Sequence, residues 1–438
     1  MQVNARGWTV SDWVARDAAR VWHGFTQMAS FPDAEPVIVQ RAEGHELIDC
    51  EGRRYLDAIS SLWVTTLGHG VPELDEAVRE QLARVAHSTM LGNGNRVVVE
   101  LAEALAAHVP VREPHFLFAA DGACAVEQAL KIAFQYWRNL GIHDRVTFLT
   151  LSEAYHGDTL GALSLGEGFH SEHFEPLRFP VVRAPGYADP DWARKASALV
   201  EAEAERLAAV VLEPLVQAAG GMRVARPEDV RLLADSCRAR DVLLVCDEVA
   251  TGFGRTGSLF ASELCGVEPD LLVLGKGLTG GYLPQSATVA SGRVFEAFLG
   301  EDLGPRTLYH GHSYGGNALA AAVALRHLRL LEEWDVLANV RARSQELETL
   351  LEQRIAALPE VADVRLQGLL GGVELVAGAG ARDICAEAVR RGVLLRPIGE
   401  VVILVPPLTV RSDELERIVT VLAQAIAAVR ENAAHALR

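Results

Sequence analysis

The run DLLVLGKGLTGGYLP, residues 270–284, sets a lysine between two glycines directly after an apolar stretch. Lysine is scarce in this chain. Of 41 Lys and Arg residues, only Lys131, Lys195 and Lys276 are lysine. Lys131 lies four residues after Glu127, on a helical stretch whose apolar face is marked by Val126, Leu130, Phe134 and Trp137. Lys195 lies four after Asp191, and both spacings are those of ordinary surface ion pairs. Lys276 has no such partner, and arginine would serve any salt bridge there equally well. What arginine cannot do is form an imine with a carbonyl, which needs a neutral primary amine.

An imine-forming lysine in a large α/β protein points to pyridoxal 5'-phosphate, and that cofactor makes further demands. Its pyridine nitrogen must stay protonated, so a fixed carboxylate should face it. Asp247, ending the apolar run of LLVCDEVATGFGRTG, supplies one in the same layer as Lys276. Its phosphate needs N–H groups at a helix start, and AADGACAVEQALK offers Gly122, Ala123 and Cys124. Its ring needs a flat partner, and LSEAYHGDT places Tyr155 and His156 just after the run 145–151. Each feature alone is commonplace; the four together are specific.

These residues need a frame. Short runs apolar on both faces, RVTFLTL (145–151), AAVVLEPL (208–215), DVLLVCDE (241–248) and DLLVLGK (270–276), alternate with helical patterns such as PEDVRLLADSCRARD (227–241). That predicts an α/β protein with a mainly parallel sheet flanked by helices, and ligands beyond the C-terminal strand ends. VIVQRAEGHELIDCEGRRYLDAIS reads as an antiparallel meander, and the tail mixes helices (DELERIVTVLAQAIAAVR, 413–430) with strands (VVILVPP, 401–407). The expected division is a large domain over 71–330 and a small α+β domain built from both chain ends, 1–70 and 331–438.

With 438 residues, half of them hydrophobic, the chain can fill more than one core. A formal net charge of −17 argues against nucleic acid and anionic membranes as partners. Six scattered cysteines without a CxxC pair, no basic-then-apolar leader and no long apolar run fit a cytoplasmic protein with reduced thiols. HGH (His310, His312) lacks further ligands at metal spacing, so no metal is expected. Glu248, beside Asp247, reads as a structural contact at the strand end.

Together the motifs resemble the class III pyridoxal phosphate aminotransferases of fold type I, with DEVATGFGRTG and GKGLTGG the most recognisable segments. Within that class, VWHGFTQM (21–28), AISSLWVTTLGHG (58–70), AFQYWRN (133–139), YHGDTLGALS (155–164), EPLVQAAGGM (213–222), YHGHSYGGN (309–317) and LLRPIGEVVILVPPL (394–408) are most similar to the 7,8-diaminononanoate synthases of biotin biosynthesis. The resemblance implies a homodimer with shared active sites, a small-molecule amino donor and a keto-acid acceptor, 8-amino-7-oxononanoate. It implies Lys276 as the Schiff-base lysine, Asp247 on the pyridinium and Tyr155 stacked on the ring. Gly122 and Ala123 would hold the phosphate, and Ser313 would reach it from the other subunit. Glu213 and Gln217 would lie near the cofactor, Trp63 would line the substrate channel, and Arg396 would clamp the substrate carboxylate.

Departures from the pattern also speak. Asp121 stands where the family has serine before the phosphate glycine, and its carboxylate could cap the helix in competition with phosphate. Members that use S-adenosylmethionine carry tyrosine where this chain has Phe25, tryptophan where it has Leu62, and Pro-Thr where it has His312-Ser313. Phe25, Leu62 and HGHSY instead resemble members that take the amino group from lysine. The competing expectations are another class III transaminase, which should lack the combined WHGFTQM, SLW and AFQYW signature; an isomerase or decarboxylase on the same cofactor; and a non-catalytic relative, which usually loses the lysine.

Overall fold

The computed structural model describes residues 8–168 and 171–436. Its centre is a seven-stranded sheet ordered His115–Ala119, Ser286–Ala290, Leu271–Leu274, Leu243–Asp247, Leu207–Leu212, Thr147–Leu151 and Val182–Ala184. The four apolar runs picked out from the sequence are all strands of this sheet, and they run parallel to one another. Leu207–Leu212, Leu243–Asp247 and Leu271–Leu274 are buried at every position, as strands covered on both faces must be. Ser286–Ala290 is the exception in direction: it pairs antiparallel with both Leu271–Leu274 and His115–Ala119.

The helix Gly122–Asn139 crosses one face, its Trp137 fully buried and donating its indole N–H to Ala208 O at 2.8 Å. Val126 and Leu130 are buried on the expected face, but Phe134 is exposed and lies under the Arg138 guanidinium instead. The two ion pairs expected from i,i+4 spacing do not form. Lys131 bonds His310 Nδ1 and Tyr309 O, leaving Glu127 to accept from Thr159 Oγ1, Gly161 N and Ala162 N at the start of the helix Leu160–Leu165. Lys195 pairs with Asp189, while Asp191 takes Arg194. Orphan helix N–H groups and nearer carboxylates outcompete an exposed pair worth a few tenths of a kcal/mol.

Val39–Glu43, Glu46–Asp49 and Arg54–Asp57 form the antiparallel meander, and Val393–Leu394 joins its edge in parallel beside Arg54–Asp57. A further sheet orders Val361–Gln367, Leu370–Leu375, Val401–Leu404 and Arg396–Ile398. The two chain ends are bonded to each other: His45 Nδ1 meets Glu414 at 2.7 Å in a buried contact, and Arg417 reaches Glu46 at 3.0 Å. This juxtaposition carries Arg396 and the 58–66 segment to the C-terminal edge of the central sheet.

Candidate active site

Five parallel strands end at one place. Beyond Ala119 come Asp121, Gly122 and Ala123; beyond Leu151, Tyr155 and His156; beyond Leu212, Glu213; Asp247 ends its own strand; and Lys276 follows Leu274 by two residues. All of them line one cavity of about 570 Å³, together with Phe25, Leu62, Trp63, Asp158, Val249, Arg396 and Ile398. Gln217, by contrast, turns its amide onto Tyr187 N and Ser152 O and does not line the cavity.

Glycines allow the strand ends to close up. A Cβ on Gly122 would sit 2.8 Å from Val249 Cγ1, and one on Gly275 would sit 3.2 Å from the same methyl, so the helix start, the Asp247 loop and the Lys276 turn converge on one valine. Gly157, at φ +122°, leaves room where a Cβ would meet that of Ala123 at 2.4 Å, which seats the Tyr155 loop on the helix start.

The electrostatics are layered. Asp247 Oδ2 receives His156 Nδ1 at 2.7 Å, and its Oδ1 accepts from Val249 N. Burial pulls the His156 pKa down, but the bond to Asp247 and that carboxylate's charge outweigh it, so the imidazole is held above its usual value. His156 is thus buried and committed to Asp247; of the two aromatic residues after Leu151, only Tyr155 is half-exposed. Tyr155 donates its hydroxyl to Asp158 at 2.8 Å, and burial followed by that bond raises its pKa far above the usual range. Glu213, buried and accepting from Tyr155 N and Ala218 N, is pushed up to about 7 by burial. Lys276 is driven below the ordinary lysine range by burial, against the pull of Asp247 and Glu213. Its Nζ lies 5.0 Å from the Trp63 ring centroid.

At the rim, the Arg396 guanidinium makes no ion pair or hydrogen bond among the described residues and faces the same cavity. Across it, Asp121 caps the helix, accepting from Cys124 N at 2.9 Å and from Cys124 Sγ, while the N–H groups of Gly122 and Ala123 take no acceptor among the described residues. Ser313 lies elsewhere, on an exposed turn whose carbonyl accepts from His87 Nε2. Glu248 points into the packing, taking Ala261 N, Ser262 N, Ser262 Oγ and Thr251 Oγ1. Sequence reasoning missed Asp158, which lines the cavity and bonds Tyr155, although YHGDT displays it three residues after Tyr155.

The residues fit pyridoxal 5'-phosphate: free N–H groups at a helix start, a glycine-cleared floor, a fixed carboxylate and a depressed lysine share one cavity. This fold and site define a pyridoxal phosphate-dependent enzyme. The family described as aminotransferase class III matches residues 29–426, and the chain belongs to it. Among its relatives, the adenosylmethionine-8-amino-7-oxononanoate aminotransferase of Nitratidesulfovibrio vulgaris is 44% identical over 95% of this chain and 82% of its own. That of Aquifex aeolicus is 40% identical over 95% and 97%. The crystal structure of the Methanocaldococcus jannaschii enzyme of the same name superposes with a TM-score of 0.91 at 36% identity, covering 96% of this chain and 98% of that one. An omega transaminase from Pseudomonas jessenii, in complex with pyridoxamine phosphate, superposes with a TM-score of 0.91 at 28% identity over 95% and 98%.

Proposed function

We propose that this aminotransferase carries an amino group from L-lysine to 8-amino-7-oxononanoate, forming 7,8-diaminononanoate in biotin biosynthesis. The observation that carries the reading is the cavity's pairing of an unpartnered Arg396 with a depressed Lys276 across an apolar wall of Phe25, Leu62 and Trp63. A long-chain keto acid needs that combination: a guanidinium for its carboxylate, an apolar channel for its methylenes and an amine base at the reacting carbon.

The bound cofactor supplies an aldehyde that takes up the amine and a ring that accepts the electron pair left when the carbon loses its proton. The chain's own residues do the rest. Lys276, with its pKa lowered by burial, is poised to take that proton on Nζ and give it back later in the transfer. Asp247 keeps a proton on the pyridine nitrogen, and His156 fixes and balances Asp247. Tyr155 would cover the cofactor's ring, and the free N–H groups of Gly122 and Ala123 would hold its phosphate. Arg396 orients the acceptor. Ser313 acts at the phosphate of a second copy of this chain.

S-adenosylmethionine is the rival donor, favoured by the names of the relatives. Mixing cofactor-loaded enzyme with each donor separately, and following the cofactor's long-wavelength absorbance, decides between them. Bleaching by lysine alone, reversed by 8-amino-7-oxononanoate, supports the proposal. Bleaching by S-adenosylmethionine alone keeps the acceptor and overturns the donor. No recovery with 8-amino-7-oxononanoate overturns the acceptor.

A further inference from the structure

One wall of the cavity is built from backbone in a conformation its residues disfavour. Ser60, Ser61 and Trp63 have φ of 49°, 61° and 65°, and Ser61 and Leu62 depart from helical geometry inside the short turn Ser60–Trp63. None is glycine, so each left-handed residue is strained and must be held by its surroundings. The turn nonetheless aims two side chains at the site: Leu62 and Trp63 both line the cavity, and Trp63 faces Lys276 Nζ.

What holds it is a carboxylate with no exposure to solvent. Asp57 accepts from Ser61 N at 2.9 Å through Oδ1, and from Ser61 Oγ and His69 Nε2, both at 3.0 Å, through Oδ2. Its own N–H is tied to His45 O at 2.8 Å, so the carboxylate is anchored to the meander rather than to the turn. On the far side, Ser60 Oγ donates to Val405 O at 2.6 Å, and the buried Arg255 donates to Thr65 O at 2.9 Å and to Pro406 O. Asp57 does not line the cavity, so any influence on the reaction passes through the turn.

We infer that Asp57 is a positioning residue for amino transfer: its carboxylate sets the Ser60–Trp63 turn so that Leu62 and Trp63 form the substrate wall opposite Lys276. The inference rests on reading the cavity as the site of amino transfer. It assigns the selectivity of the wall to a residue that never meets substrate.

The test is a double-mutant cycle of Asp57→Asn with Trp63→Ala on cofactor-loaded enzyme. The readout is the rate at which the cofactor band is bleached by whichever of L-lysine, S-adenosylmethionine or n-butylamine bleaches the wild type. Misplacing a wall by a fraction of an ångström should slow Asp57→Asn about 10-fold, with the band position and cofactor affinity unchanged. In the Trp63→Ala background, where the wall is already gone, the same substitution should cost less than about 2-fold. An equal loss in both backgrounds, or a loss of cofactor affinity that accounts for the slowing, overturns the inference. Should Asp57→Asn fail to fold, Ser61→Ala removes one of the three bonds to Asp57 and must show the same non-additivity at smaller amplitude; additive losses overturn the inference equally. Bleaching by a simple amine reads the wall without the proposed substrates. Failure of lysine or of 8-amino-7-oxononanoate therefore refutes the proposed function, while the amine rates still decide the role of Asp57.

Discussion

Replacing Glu213 with glutamine should invert the sign of a stability difference between acid and alkaline pH. In the folded chain Glu213 is buried and its pKa is pushed from its ordinary 4.5 up to about 7. A folded-state pKa raised above the unfolded one contributes stability that is fully present below pH 4.5 and is lost as pH rises through 7. Between pH 4 and pH 8.5 that loss is about 3 kcal/mol, from 1.36 kcal/mol per pKa unit over the interval between the two pKa values. Glutamine does not titrate, so it escapes the loss. It has one acceptor oxygen where Glu213 uses two, for Tyr155 N and Ala218 N, and leaving one N–H unmet costs about 1 kcal/mol at every pH. With an unfolding entropy of about 2.1 cal/mol/K per residue, 1 kcal/mol moves the melting temperature of a chain this long by about 1 °C. Glu213→Gln should therefore melt about 1 °C below wild type at pH 4 and about 2 °C above it at pH 8.5. Differential scanning calorimetry of both proteins at the two pH values, in the same cofactor state, reads the crossing. A difference of constant sign and size would show that Glu213 is ionised across the whole range, and the argument from burial would fail.

Three other substitutions probe the site directly. Lys276→Ala should abolish turnover while circular dichroism and melting stay near wild type, because no other amine among the described residues lines the cavity; turnover at the wild-type rate would remove Lys276 from the chemistry. Arg396→Ala should raise the KM for the keto acid about 30-fold with little change in kcat, since a charged hydrogen bond to a carboxylate is worth about 2 kcal/mol and acts equally before and during reaction. Asp121→Ser should keep the cap on Cys124 N while removing a negative charge next to the phosphate-binding N–H groups, so the variant should retain pyridoxal phosphate several-fold longer in dialysis. Faster loss would mean that the carboxylate supports the cofactor site rather than opposing it.

The part of this site that could be read from the sequence is the part carried by strand ends. A buried parallel strand is a short apolar run with a sharp polar boundary, and the first polar residue past it lies at the ligand-binding edge of the sheet. Asp247, Glu213 and Lys276 each follow such a run, and the chain's shortage of lysine singled out the last of them. Direction of pairing leaves no such trace: SATVA at 286–290 is as fully buried as its neighbour Leu271–Leu274, yet it runs antiparallel between two strands of the opposite sense. Side-chain partners escape the sequence for a related reason. Glu127 stands at ideal spacing for Lys131, but the unsatisfied N–H groups opening the helix Leu160–Leu165 lie within reach, and capping them outweighs a solvent-screened ion pair.

The substrate wall was the least legible element, and the reason lies in its backbone. A left-handed turn is normally announced by glycine, which has no Cβ to clash, or by asparagine, whose short polar side chain tolerates it. The turn at Ser60–Trp63 is instead imposed from outside by Asp57, three residues upstream, and by Arg255 and the strand end at Val405, roughly two hundred and three hundred and forty residues downstream. Such a conformation exists only once those segments have met. Sequence signatures therefore report cofactor chemistry, which depends on single residues at strand ends, more readily than substrate choice, which here depends on a strained turn held by buried charges. Two chains that share Lys276, Asp247 and Tyr155 could differ in substrate through the shape of that turn alone.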